Sequence, residues 1–170
     1  MKWIGAIIFI CMTTFLGFDF SKRLNERTKQ IRTLIQSLQL FEAEMSYSSF
    51  TLREIFLNIS KKIDGPLSDF YKKLSERLND YVDDFITIWD EELIECMKNT
   101  SLKDNEKEIL QQFGRNIGQH TFIQQQKHIK LTIHYLQLQL EEAETQRQRY
   151  GTMTKSLGVL IGLFIVILLF

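Results

Sequence analysis

The chain has 170 residues, with 21 basic and 21 acidic side chains giving a net charge of zero, 44% hydrophobic residues, two cysteines and one proline. That length holds one domain with a modest core and is too short for two independent ones. One proline and eight glycines predict long helices and few loops.

In chain order, the first element is an uncharged run from Trp3 to Phe18, bounded by Lys2 and Asp19. A bilayer core needs ~17–25 apolar residues in a helix, so this run is a short span that calls for tilt-free insertion or local thinning. A cleaved signal peptide is the alternative, with Lys2 as its charged start and Ile4 to Met12 as its apolar middle. No small-x-small cleavage site follows in Thr14-Phe-Leu-Gly-Phe-Asp-Phe20, and Ile10 before Cys11 does not fit a lipoprotein signal. The reading is a retained anchor over residues 1–20.

Beyond it, Leu24, Ile31, Leu38 and Met45 recur every seven residues, with Leu34 and Phe41 between them. This seam predicts a helix over about 20–46, either separate from the span or continuous with it. Ser46-Tyr-Ser-Ser-Phe50 ends it, and Thr51-Leu-Arg-Glu54 has the form of a capping box. Leu52, Ile55, Phe56, Ile59 and Ile63 form the face of the second helix. Gly65-Pro66 stops it, and Pro66 suits the first position of the third, whose face is Leu67, Phe70, Tyr71, Leu74 and Leu78. Phe85, Ile88, Trp89, Leu93, Cys96 and Met97 mark a fourth helix. Thr100 or Ser101 is the expected cap of a fifth, with face residues Leu102, Ile109, Leu110, Phe113 and Ile117 and a stop at Gly118. Thr121 is the expected cap of the sixth. There, Ile129, Ile133, Leu136, Leu140 and Ala143 make one stripe and Leu131, Tyr135 and Leu138 a second, which predicts a central helix contacted on two sides. The run Ser156 to Phe170 is apolar all round, unlike a core helix with one apolar face, and reads as a second membrane anchor. No segment alternates as a strand would. The expected fold is all-α: a six-helix antiparallel bundle over 21–155, with N- and C-terminal transmembrane anchors at 1–20 and 156–170.

Charge is unevenly spread. Residues 21–62 hold eight basic and four acidic side chains, 64–108 six and thirteen, and 109–155 six and three. The acidic third makes nucleic acid a poor partner. Eight basic residues flank the spans on the domain side, among them Lys22, Arg23, Arg27, Arg147, Arg149 and Lys155, against Lys2 alone outside. This bias places the domain in the cytoplasm and those six residues against anionic lipid. Asp83, Asp84, Asp90, Glu91, Glu92 and Glu95 form the candidate partner-binding face. The alternatives for these carboxylates are a plain solvated surface or a cation site. Gly158-x-x-x-Gly162 would let the last span pack closely on another helix.

There is no phosphate loop and no nucleophile elbow. His120, His128 and His134 lack zinc-ligand spacing, and Cys11 and Cys96 lie in different regions and do not form a pair. No convergent set of polar groups can be assembled into a catalytic pocket. The reading is a non-enzyme with no cofactor, no metal and no small-molecule substrate.

The chain resembles the stage III sporulation protein AB family of endospore-forming bacteria. The resemblance rests on an ordered set running nearly the whole length. It begins with Gly17-Phe18, Arg27, Gln30-Ile-Arg32 and Leu34, continues through Glu42-Ala-Glu44-Met45, Tyr47 and Leu52, then Phe113-Gly114, Ile117-Gly118, Gln125-Gln-Lys127 and Ile129-Lys-Leu131, and closes with Lys155-Ser-Leu-Gly158 and Gly162-Leu163. Thr51 stands where the family tends to have proline and Thr121 where it tends to have aspartate, both at cap-type positions. The resemblance implies a scaffold of the mother cell–forespore channel, in the mother-cell membrane. It is similar to the platform proteins of type II secretion, whose helical domains connect an ATPase to the membrane complex. Other channel proteins, including the channel ATPase, are then the expected partners. The alternative is a membrane-bound helical signalling domain relaying to a cytoplasmic enzyme. A sporulation block after engulfment on deletion favours the channel; altered gene expression with the channel intact favours signalling.

Overall fold

In a computed structural model, the described backbone covers residues 2–47, 50–78, 84–117 and 122–169, and side chains are described mainly over 18–46, 50–78, 84–117 and 124–150. The caps expected at Gly118 and Thr121, together with Asp83 and His120, lie outside these residues. The chain forms six helices: α1 (Lys2–Tyr47), α2 (Leu52–Lys62), α3 (Pro66–Arg77), α4 (Phe85–Lys98), α5 (Asp104–Ile117) and α6 (Phe122–Leu169). No strand occurs among the described residues. Of the two readings for the first helix, the continuous one holds.

The start of α2 follows from its sequence. Thr51 Oγ1 accepts from Glu54 N at 3.4 Å, and the Glu54 carboxylate accepts from Thr51 N at 2.8 Å. The reciprocal pair satisfies two otherwise orphaned donors, and the bond from Thr51 N holds the Glu54 pKa below its ordinary value. Gly65, at φ 81°, turns the chain into α3, where Pro66 takes the first position. That φ belongs to the left-handed region, open to glycine without strain.

The helix α5 corrects an expectation. It begins at Asp104 rather than just after Thr100 or Ser101, and Leu102 is buried ahead of it. Lys103 holds the cap position through its backbone, its carbonyl accepting from Lys107 N at 3.1 Å. Glu106 reaches back to accept from Lys103 N at 2.6 Å and is fully buried. The capping chemistry comes from the third helical residue, so no cap-type side chain is needed at the start.

The chain divides into two compact units, one of Met1–Thr28 with Glu141–Phe170, the other of Lys29–Leu140. In the second unit α2 packs on α3, α3 on α4 and α4 on α5. Its centre is aromatic. The Phe56 ring lies 5.7 Å from Phe41, 5.8 Å from Tyr71 and 6.0 Å from Trp89. Trp89 also meets Phe70 at 5.2 Å and Phe113 at 5.6 Å, so rings from α1 through α5 converge. The Tyr71 hydroxyl, fully enclosed, shares a hydrogen bond of 2.8 Å with Ser37 of α1. In the first unit, Arg27 donates to Gln146 Oε1 at 3.1 Å and Arg147 to Asn25 Oδ1 at 3.2 Å, tying α1 to α6.

A second correction concerns α6. Ile129, Ile133, Leu136 and Ala143 are buried as their stripe predicts, but Leu131, Tyr135 and Leu138 are each 44–46% exposed. Among the described residues the second apolar stripe is left largely uncovered. No helix among the described residues is long and apolar enough to cross a membrane. The apolar end runs fall mostly outside the described side chains.

Candidate functional site

Three surfaces carry the side chains singled out in the sequence. On α4, Asp84 is exposed at the helix start and makes no capping bond with its side chain. The later carboxylates are not a free acidic face. Arg77 of α3 holds Glu91 at 2.8 Å and Glu92 at 3.0 Å, and these hydrogen bonds, to Glu91 first and then Glu92, raise its pKa. Lys98 holds Glu95 at 2.8 Å and draws its pKa down. Asp90 is half-buried, and its Oδ1 has no hydrogen-bond partner among the described residues. The structure therefore brings Glu91 and Glu92 together around one guanidinium and sets Asp84 apart.

Along the first unit, Lys22, Arg23 and Arg149 are exposed. Arg23 pairs with Asp19 at 3.0 Å and the Arg149 guanidinium sits 5.6 Å from the Tyr150 ring. Arg147 is half-buried through its bond to Asn25. Arg27 departs from expectation: it is 2% exposed and donates to Gln146, so it offers no charge to a lipid surface. A signal for this was present, because Arg27 lies three residues after Leu24 and four before Ile31, on the seam itself. The side chain of Lys155 and the surroundings of Gly158 and Gly162 lie outside the described residues.

The third surface is a cleft of about 460 Å³ between α3 and α4, with Phe70 and Cys96 at its apolar side and Asp69, Lys73, Glu76 and Glu95 among its charged lining. It mixes charges of both signs and holds no group of His, Cys, Asp or Glu suited to a metal ion; none exists among the described residues. Burial pushes the Cys96 thiol up to about 12 from an ordinary 9.0. A neutral, buried thiol is a poor nucleophile. In a Cys11→Ser variant, Cys96 should resist iodoacetamide at pH 8 until denaturant is added; ready labelling of the folded chain would refute the enclosed thiol. Because the folded pKa is raised, the thiol's contribution to stability is fully present below about pH 9 and is lost as pH climbs toward about 12. Tyr71, raised by burial from 10.0, adds a loss in the same direction at higher pH. Alkaline unfolding followed by circular dichroism should show this decline, and Cys96→Ala should flatten its first part.

A groove that the sequence did not announce lies between α5 and α6. It holds about 350 Å³ and is lined by Asn105, Glu108, Ile109, Gln112, Tyr135, Leu138 and Gln139. Periodicity identified its apolar side chains but assigned them to a covered face.

Against known proteins, the family described as stage III sporulation protein AB matches over residues 2–170. The chain belongs to that family. A curated member, stage III sporulation protein AB of Bacillus subtilis (strain 168), is 37% identical over 169 residues, covering 99% of each chain. A solved structure of stage III sporulation protein AB superposes with a TM-score of 0.69 at 36% identity, covering 73% of this chain and 98% of that one. Several residues that carry the family resemblance hold this fold together. Gln30 Oε1 accepts from Ser101 N at 2.8 Å and so fixes the turn between α4 and α5. Gln125 Nε2 donates to the Ile117 carbonyl at the end of α5 at 2.6 Å. Gly114 lies against the Trp89 indole. A role in sporulation fits the family, whose name denotes a sporulation protein and no enzyme activity.

Proposed function

We propose that the chain is a non-enzymatic platform subunit of the mother cell–forespore channel. The apolar runs Trp3–Phe18 and Ser156–Phe170 anchor it in the mother-cell membrane, and the helical part faces the cytoplasm and docks the channel ATPase and other channel proteins. What carries this reading is that α1 and α6 each continue as helix through an apolar run at its outer end. The exposure of Tyr150 supports it, since tyrosine favours the headgroup level, and the exposed Phe18 and Phe20 add apolar surface at the end of the first run. Lys22, Arg23 and Arg149 are exposed and would meet anionic lipid at ~1 kcal/mol each near the surface, Arg23 in competition with its pair Asp19. On the docking side, Asp84, Glu91 and Glu95 are the acids available to a basic partner. That partner competes with Arg77 and Lys98 for the latter two.

The test uses the tagged full-length chain in sporulating cells. It should sediment with membranes, remain uncut over residues 21–155 when protease is added to intact protoplasts, and co-purify with the channel ATPase after detergent extraction. Recovery in the soluble fraction, or cleavage within 21–155, refutes the topology. Loss of the ATPase from an otherwise intact preparation refutes the docking role.

A further inference from the structure

We propose that copies of this chain associate head to tail, the outward face of α2 in one copy seating in the α5–α6 groove of the next, with Arg53 against Glu108. Both surfaces belong to the same compact unit, Lys29–Leu140, and their apolar side chains Phe50, Leu131, Tyr135 and Leu138 are exposed among the described residues. The groove is apolar at Ile109, Tyr135 and Leu138, with Leu131 extending the row along α6. Its one charged lining residue, Glu108, is exposed and has no ion-pair partner among the described residues. A row of three outward apolar side chains on one helix beside a groove is the pattern of an interaction surface rather than of scattered exposed residues.

The α2 face is complementary in charge and carries apolar side chains. Phe50, 45% exposed, stands just ahead of the helix. Arg53, Leu57 and Lys61 follow at four-residue spacing, the two basic residues exposed and Leu57 half-buried. Arg53 forms no salt bridge among the described residues, and the carboxylate beside it, Glu54, is engaged by Thr51. One face offers an apolar knob with a free cation, and the other an apolar groove with a free carboxylate. Each copy presents its α2 face to one neighbour and its groove to another, so the contact is heterologous and repeats from copy to copy into a ring or a filament. The carboxylate–guanidinium pair sets the register, as complementary charges do at interfaces.

The test uses the full-length chain in native membranes, on a Cys11→Ser, Cys96→Ser background. Cells co-express one copy carrying Phe50→Cys and another carrying Leu138→Cys, and a short bis-maleimide is added. The expected product is a 50–138 cross-link between copies, identified by peptide mapping. Arg53→Glu on the Phe50→Cys copy alone, or Glu108→Arg on the Leu138→Cys copy alone, should reduce it about fivefold or more, and the two together should restore it. That restoration excludes misfolding as the cause of the loss. A dominant 138–138 product, cross-links only to other proteins, no cross-link, or charge reversals without effect would each overturn the proposal.

Discussion

Gly114→Ala is expected to lower stability by about 3 kcal/mol, the upper part of the usual range for overpacking a core. In an ordinary helix interior the same change is worth about 1 kcal/mol in the opposite direction, so the sign alone tests the packing. A methyl at this position would crowd the Trp89 ring, closest to Cδ1, then 2.5 Å from Nε1 and 2.6 Å from Cγ. The indole cannot withdraw at low cost. Its Nε1 donates to the Leu110 carbonyl at 2.9 Å, and Phe56, Phe70, Phe85 and Phe113 surround the ring. Thermal unfolding of the full-length chain in detergent should show the loss, with partial recovery when Trp89→Phe is added to make room. An unchanged or raised midpoint would mean that Trp89 does not occupy this position.

Phe56→Ala should cost about 4 kcal/mol, in the range for emptying a buried aromatic site. Phe56 is fully buried and touches rings from α1, α3 and α4, so its removal opens a cavity where several helices meet and collapse on one side strains another. The contrast is Phe50→Ala, half a turn ahead of the same helix but 45% exposed, which should stay within about 0.5 kcal/mol of the parent. Similar losses for both would show that the aromatic centre is not where the stability resides. A marginal reserve of about 5–15 kcal/mol makes the Phe56 change sufficient to deplete the chain in cells.

Much of this architecture was legible because its determinants are local. Thr51 and Glu54 are three residues apart, Gly65-Pro66 is a dipeptide, and the buried rows of α2 through α5 recur at helical spacing. The failures share a cause as well. Leu131, Tyr135 and Leu138 have the right spacing for a second covered face, but spacing reports that a face is apolar and not what lies over it. The start of α5 carries no cap-type side chain, because the bond comes from Glu106 onto the Lys103 backbone. The pairing of Glu91 and Glu92 with Arg77 was not legible in the run of carboxylates, because Arg77 lies on a different helix. For Arg27, charge points to the surface and its place on the seam points to the interior, and the seam prevails.

The bond between Gln30 and Ser101 joins residues 71 positions apart, and that separation has a meaning in time. At bacterial translation rates of ~5–20 residues per second, about 4–14 s pass between the synthesis of one partner and the other. Throughout that interval the inward row of α1, from Ile31 to Phe41, waits for Phe113 and the rest of α5. Phe56 and Tyr71 can reach that row as α2 and α3 emerge, but the Phe41–Phe113 contact forms only once α5 has been made. Slower synthesis, whether from rare codons or amino-acid depletion, therefore lengthens the period in which that row is open to the wrong neighbour. A starving cell would make this chain under the least forgiving conditions for it.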